Sequence, residues 1–464
     1  MSAAAYSRLR EAVWGGDRLA EPGAAVAGPG PGRPPEAELQ SRWFAGEFGA
    51  DFHSTQGWPV RVTQFGEWNC SAGPDFRHTV VEVAGKPLKG SLELDWDARD
   101  WERHGHAENP AYEDVALHVF FHAPEGETFF TRTKNHRDVA QVRIDLAAFP
   151  LAGPPPAPAE AKCGRCSFPL AALGAAELRG LLEAAARYRL ERKGRRLQRL
   201  AELHGRDQML FQELAAALGY RRNKLPMTML AQRLPLRLLM QHQAGAEALL
   251  FGAAGFLETK IYERAAPETR EYLRGLWETW WKHRAEFSGV EPPRWVLAGA
   301  RPQNHPQRRL GALSVLARQW KKIRAAFDAA EAPPLEEALA GLRHDYWDWH
   351  YTLSSARAAK PMALVGGTRI QEILANLFFP CALARGNFQW AACAALPAVL
   401  ENESTRRAAL RLLGRRPDAA QWQKKLFHQQ ALLQLYEDFC LQDHSDCAQC
   451  LFPEQLARWP DVSG

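Results

Sequence analysis

The sequence predicts an α+β protein, with a small N-terminal domain on a mixed sheet followed by a large all-α domain. Three observations carry this expectation. Between residues 59 and 146 apolar positions alternate and are punctuated by Gly, Pro and Asp. From about residue 169 onward the chain turns to Ala, Leu and Arg with a 3.6-residue period. A Pro/Ala-rich linker over 150–158 separates the two regimes.

With 464 residues the chain has room for two or three domains, and 46% hydrophobic with 24% charged residues is ordinary globular composition. A net charge of +5 permits a polyanionic partner such as DNA or RNA without requiring one. The apolar runs near 373–384 and 391–400 fall short of the roughly 20 residues of a membrane span. The first residues lack the apolar core of a signal peptide. The expected location is the cytoplasm, where thiols stay reduced, so the eight cysteines should be free or metal-bound.

Taken in order, 1–35 reads as a flexible N-terminal segment and linker that includes a short amphipathic helix (Tyr6, Leu9, Val13, Trp14) and a Gly/Pro/Ala stretch over 23–35. The small domain spans 36–149. It opens on a helix at Glu36, since Pro34 and Pro35 precede it and Glu36 and Glu38 occupy its first turn. Strands are expected at 60–65, 77–83, 92–94, 115–121, 128–131 and 139–146, with 85–90 as a hairpin connection. The segment 150–168 is a linker carrying Cys163 and Cys166. Over 169–464 the period predicts helices at 174–203, 206–218, 228–242, 244–254, 268–285, 308–328, 334–350, 369–384, 387–400 and 419–440, without an internal repeat and ending in a Cys-rich knot.

Carboxylates and histidines concentrate between residues 73 and 121. Asp75 follows Gly73-Pro74, where a turn enters a strand. Glu93 and Asp95 are separated by one residue, so on a strand both project from one face. Two facing strands can thus gather three carboxylates, the oxygen ligands that Mg²⁺ or Mn²⁺ takes, and a metal so held can activate water against a phosphodiester. His104, His106 and His118 can supply a nitrogen ligand, a proton shuttle or a phosphate contact. Each taken alone reads more readily as a solvated or core residue, and only the constellation favours a functional site. His118, which interrupts an apolar strand, is either a hydrogen-bonded core histidine or part of the site.

Gly73-Pro74-Asp75-Phe76, Gly90 to Glu93, Asp100-Trp101, His104, His106, Tyr112, Val115 and Leu117-His118-Val119 together resemble the pattern of the bacterial family catalogued as domain of unknown function 2851. Glu38, Gln40 and Trp43 upstream fit as well. So do Leu250-Phe251-Gly252 with Gly255-Phe256-Leu257, Arg301-Pro302 with Asn304 and Pro306, and the terminal cysteines. The family usually has His where this chain has Asp95. The strand layout also resembles the PD-(D/E)xK (restriction-endonuclease-like) nuclease core. That resemblance implies Glu38 as the helical acid and Asp75 and Glu93 as the strand acids, with Asp95 at the position of the nuclease lysine. Lys86, Lys89, His104 and His106 are then candidates for the missing cation.

Cys440, Cys447 and Cys450 end a helical stretch with Cys-x6-Cys-x2-Cys spacing, which suits a structural metal. The spacing also resembles the first three ligands of the iron–sulfur loop of helix-hairpin-helix DNA glycosylases, with Leu456 where the fourth would fall. Cys166, Cys163 or His444 can complete the set, and both Zn²⁺ and an iron–sulfur cluster remain open. Cys70, Cys381 and Cys393 read as packing residues. The basic run over 187–199, with Arg221, Arg222 and Lys224, is either a phosphate-tracking surface or a solvated helix face. The cluster from Arg301 to Arg309 has donors that suit a phosphate or a carboxylate. Trp277, Trp280, Trp281, Trp320, Trp347 and Trp349 read as core. The functional expectation is a metal-dependent nuclease or phosphodiesterase acting on nucleic acid. The alternative is a non-catalytic module that binds nucleic acid or protein through a degenerate nuclease-like domain.

Overall fold

The computed structural model describes residues 2–14, 34–69, 72–124, 129–149, 162–242, 244–287, 291–297, 301–329, 331–398, 403–440, 447–448 and 450–459. The α+β expectation holds: an eight-stranded mixed sheet precedes a large helical body. The strands are β1 (Asp51–His53), β2 (Pro59–Gln64), β3 (Glu67–Trp68), β4 (Phe76–Val83), β5 (Lys86–Asp97), β6 (Val115–His122), β7 (Thr131–Arg132) and β8 (Asp138–Arg143). They lie in the order β1-β2-β4-β5-β6-β8-β7, with β3 paired to β4. Antiparallel pairing runs through β1, β2, β4 and β5; β6 then runs parallel to β5, and β8 parallel to β6.

The period of two sorts the side chains of β5 and β6. Leu92, Leu94, Leu117 and Val119 join the apolar cluster that also holds Leu39, Trp43 and Phe44 of the helix α2 (Glu36–Phe44). The intervening residues, Glu93, Asp95, Asp97 and His118, therefore belong to the opposite face. They are still buried, because parallel strands need a crossover, and this one passes through the short helix α3 (Asp100–Arg103) and two further turns, where Trp101 and Tyr112 pack with Val115 and Val139.

The hairpin connection is shorter than expected. Ala84 (φ 50°) and Gly85 (φ 77°) form a two-residue turn with both residues left-handed, and pairing already begins at Val83 with Lys86. Gly90 has a separate role: a Cβ there would lie 2.0 Å from the carbonyl oxygen of Asp114, so only glycine permits this approach of β5 to the start of β6.

In the helical body, α4 (Ser167–Ala172) leads into the 30-residue helix α5 (Ala175–His204). The N-terminal helix α1 (Ala3–Trp14) packs on α5, burying Tyr6, Leu9 and Val13. Tyr6 donates to Asp438 Oδ2 at 2.9 Å, and Arg10 pairs with the same carboxylate at 3.1 Å. The first helix thus belongs to the helical body. The Gly/Pro/Ala stretch up to residue 33 and the 150–158 linker lie outside the described residues, as do Cys70 and His444.

Several helices are more broken than their periodicity implies. Pro235 divides 228–242 into Lys224–Arg233 and Leu236–Gln241. The helix expected over 334–350 ends at Ala340. The next segment is held by side chains: Arg308 donates to the carbonyls of Trp347 (3.1 Å), Met362 (2.9 Å) and Ala363 (3.0 Å), and Arg309 to those of Leu364 (2.5 Å) and Gln303. The arginines proposed to meet a phosphate or carboxylate therefore satisfy backbone instead, because the turn they anchor has no helical ladder of its own.

The basic run of α5 is likewise largely committed internally. Arg189 and Arg192 pair with Glu437 (2.7 and 3.1 Å) and Arg196 with Glu213 (2.6 Å), while Lys193 reaches Gln430 (2.9 Å). These cations join helices, so they do not form an open phosphate-tracking face. Trp320 and Trp347 are core as expected. Trp281, 62% exposed, is not: it stacks on Trp277 (centroids 6.3 Å, planes 8° apart) with Arg284 over its ring.

Sheet and helical body meet at His204, the last residue of α5. Its ring stacks on Phe44 (4.1 Å, 14°) and its Nε2 donates to the Phe44 carbonyl at 2.5 Å. Burial lowers this imidazole to about 4 from an ordinary 6.5. A depressed folded value means that His204 contributes stability above about pH 6.5 and loses it as pH falls toward 4. The wild-type advantage over His204→Gln in urea unfolding should therefore shrink by about 1–2 kcal/mol between pH 7 and pH 4.5, discounted for partial exposure. An advantage independent of pH would show that the ring is not held neutral.

Candidate metal centre

Asp75 precedes β4 directly across from Glu93 on β5. The Asp75 amide donates to Glu93 Oε2 (3.0 Å), and the Leu94 amide donates to Asp75 Oδ2 (3.1 Å). These bonds lock the two carboxylates face to face. Two residues along, Asp95 Oδ2 lies 3.2 Å from His118 Nε2 of β6 and 3.7 Å from His106 Nδ1, while Asp95 Oδ1 lies 3.4 Å from His104 Nδ1. His106 Nδ1 is also 3.6 Å from Glu93 Oε1.

Those separations are informative. Asp95 Oδ2, His106 Nδ1 and His118 Nε2 are buried and make no hydrogen bond, although burying such groups unpaired costs about 1–3 kcal/mol each. Most gaps are too long or too poorly aligned for a hydrogen bond. They do match neighbouring donors around one cation: bonds of about 2.1 Å put adjacent ligands about 3.0–3.4 Å apart. Asp95, His104 and His106 each offer an atom within 4.8 Å of the others, a grouping found nowhere else among the described residues.

The surroundings fix the ligands. His118 Nδ1 lies 2.6 Å from Thr131 Oγ1, which accepts from Gln141 Nε2 at 2.7 Å. With Nδ1–H donated to Thr131, Nε2 presents a lone pair to Asp95, the arrangement by which outer groups orient a ligating imidazole. His106 stacks on Tyr112 (4.1 Å, 11°) and meets Trp101 edge-on (5.4 Å, 86°). Gly105, left-handed at φ 74°, turns the chain between His104 and His106 so that both rings reach Asp95.

The electrostatics agree with a missing positive charge. Burial raises Asp75 well above the usual carboxylate range, and the nearby Glu36 adds to it. Burial and then Asp75 do the same to Glu93. Burial drives His106 down to about 4, so its imidazole is neutral at pH 7 and able to ligate. Imidazole together with carboxylate suits Mn²⁺ better than Mg²⁺, which prefers oxygen.

Of the residues singled out from sequence, Asp75, Glu93, Asp95, His104, His106 and His118 come together. Glu38 does not. It faces Arg42 and Glu47 on the far side of α2, where burial raises its carboxyl. The helical residues at the site are Glu36 and Gln40: Gln40 Nε2 donates to Asp75 Oδ1 at 2.7 Å and to Glu36 Oε1 at 3.1 Å. Helical spacing was the available signal, since residues 36 and 40 share a face that excludes 38. Tyr112 also belongs here, its hydroxyl pushed up by burial and by Glu93 and Asp75. Thr131 and Gln141 carry no sequence signal, because only the parallel register of β6 with β8 brings Gln141 beside His118. Neither Lys86 nor Lys89 contacts an acidic residue of the site; Lys89 instead lines an open cleft of about 680 Å³. The walls of that cleft include Arg77, Pro74 and Ala111, chain neighbours of Asp75 and Tyr112, but none of the six site residues.

In the helical body Cys166, Cys440, Cys447 and Cys450 gather in one region, whereas Leu456 is a core residue.

A family model described as "Protein of unknown function (DUF2851)" matches residues 36–401. No curated protein matches the chain, and no solved structure does.

Proposed function

Since the chain belongs to the DUF2851 family, whose description names no activity, its function has to be read from the site, and we propose a metal-dependent phosphodiesterase acting on nucleic acid. The observation that carries this reading is the gathering of Asp95, His104 and His106, each with an atom within 4.8 Å of the others, beside the Glu93 carboxylate and the unpaired Nε2 of His118. The layout of α2, the antiparallel β2, β4 and β5, then α3 and the parallel β6 supports the nuclease analogy, as do the carboxylates on β5.

Asp95, His104 and His106 would hold the cation, with Glu93, His118 and Asp75 at its margin. A divalent metal there lowers the pKa of bound water and neutralises charge on a phosphate. Asp75, its carboxyl raised well above the usual range by burial, holds a proton more readily than a solvated carboxylate. His104, 45% exposed beside Asp95, can pass one to solvent. Arg77 and Lys89 give the neighbouring cleft cationic groups for a phosphate backbone.

A second reading has its own support: an acid, Asp95, stands where a nuclease of this layout has lysine. A non-catalytic site would bind metal without cleaving. The two are separated by assaying single- and double-stranded DNA and RNA with Mn²⁺, alongside the double variant Asp75→Ala/Glu93→Ala. The hydrolase reading expects cleavage that falls at least about 100-fold in the variant. No cleavage by a wild-type protein that demonstrably binds Mn²⁺ would favour the non-catalytic module.

A further inference from the structure

The cysteines of the helical body assemble from distant parts of the chain. Cys166 sits at the start of α4 and is 4% exposed; Cys447 is 8% exposed. Cys440 and Cys450 are half-buried and pack on the same apolar cluster, which also contains Phe439, Phe452 and Trp459. Arg165 ties the pieces together. Its Nη1 donates to the carbonyls of Cys447 (2.7 Å), Ala448 (3.2 Å) and Cys450 (3.3 Å), and its Nη2 pairs with Glu454 (2.5 Å). From the helix Glu403–Leu413, the Arg411 carbonyl accepts from the Gly164 amide (2.8 Å), and its Nη2 donates to Cys447 Sγ at 2.9 Å.

We infer that Cys166, Cys440, Cys447 and Cys450 are the four ligands of an iron–sulfur cluster that fastens the last helices to α4. Four cysteine thiolates are the donor set of such clusters. Cys447 is held at φ 73°, left-handed and unusual for a residue with a side chain, as happens where surrounding structure dictates a side chain's aim. The cationic donor on its sulfur is one of the levers by which proteins tune these clusters.

Spacing separates a cluster from a single ion. One Zn²⁺ bound at about 2.3 Å holds its thiolates about 3.8 Å apart. No three of these sulfurs lie within 4.8 Å of one another, although each lies close enough to Cys166 to affect its ionisation. A polynuclear centre spreads its ligands wider than one ion does.

The test is made on the full chain, purified without oxygen. Iron, acid-labile sulfide and zinc are quantified, and the visible spectrum is recorded before and after dithionite. The expected result is iron and sulfide in equal amounts, with a broad visible absorption that dithionite bleaches. Cys447→Ser should lose most of the iron, at least about fivefold. Cys393→Ser, whose thiol is buried in the other apolar cluster, should keep it. Stoichiometric zinc without sulfide, or a metal-free protein with these four thiols open to alkylation, overturns the inference. The wild-type measurement decides the matter even if Cys447→Ser fails to fold.

Discussion

Asp95→Asn should abolish Mn²⁺ binding while leaving the metal-free protein at least as stable as wild type. Asp95 is 3% exposed and reaches three imidazoles, yet its Oδ2 has no hydrogen-bond donor. Losing an outer-shell partner typically costs 10–100-fold in metal affinity, so losing a ligand charge should cost more than about 100-fold. The metal-free protein responds in the opposite direction, since Asp95 raises both Asp75 and Glu93 by repulsion. Neutralising it relieves that strain. In calorimetric titration the wild type should give a saturable Mn²⁺ isotherm and the variant none. In thermal unfolding, Mn²⁺ at 100-fold its dissociation constant should stabilise the wild type by about 2.7 kcal/mol and the variant hardly at all. A carboxylate that merely supported the fold would lower metal-free stability on removal. That outcome, or unchanged Mn²⁺ affinity, sinks the metal centre.

Arg308→Ala should cost about 3–5 kcal/mol of stability. The guanidinium is 1% exposed and donates to three carbonyls of the irregular segment after Ala340. Truncation removes a large buried side chain and strands acceptors that no helix or strand satisfies. Arg308→Lys should recover only part of the loss, because a single ammonium cannot reproduce the planar fork. The urea midpoint of the helical transition reads the effect directly. A loss below about 1 kcal/mol would mean the segment is anchored by other contacts.

These two residues show what the sequence could and could not reveal. Asp95 was legible because β5 alternates cleanly, so Glu93 and Asp95 had to share a face. Arg308 looked like a ligand-binding cation, because sequence shows a charge without its partner; the carbonyls that need it are 39 to 55 residues away. The length of β5 was missed for a related reason. Lys86 to Lys89 are all exposed, so no alternation marks them as strand. The helical acid was misassigned between Glu36 and Glu38 because composition marks a first turn but not which side of it faces the sheet. Cys166 joining the terminal cysteines was open as one of three possibilities; the structure brings Cys166 near them, and His444 lies outside the described residues.

The bond from Tyr6 to Asp438 spans 432 positions. During synthesis, at roughly 5–20 residues per second, Tyr6 would wait about 20–90 s before Asp438 emerged. The apolar stripe of α1 can meet α5 much sooner, whereas Cys166 waits about 14–55 s for Cys440 at the same rates. The sheet, whose residues all precede the linker, needs no such delay. The metal centre can therefore take shape on the ribosome well before the helical body closes over its first helix.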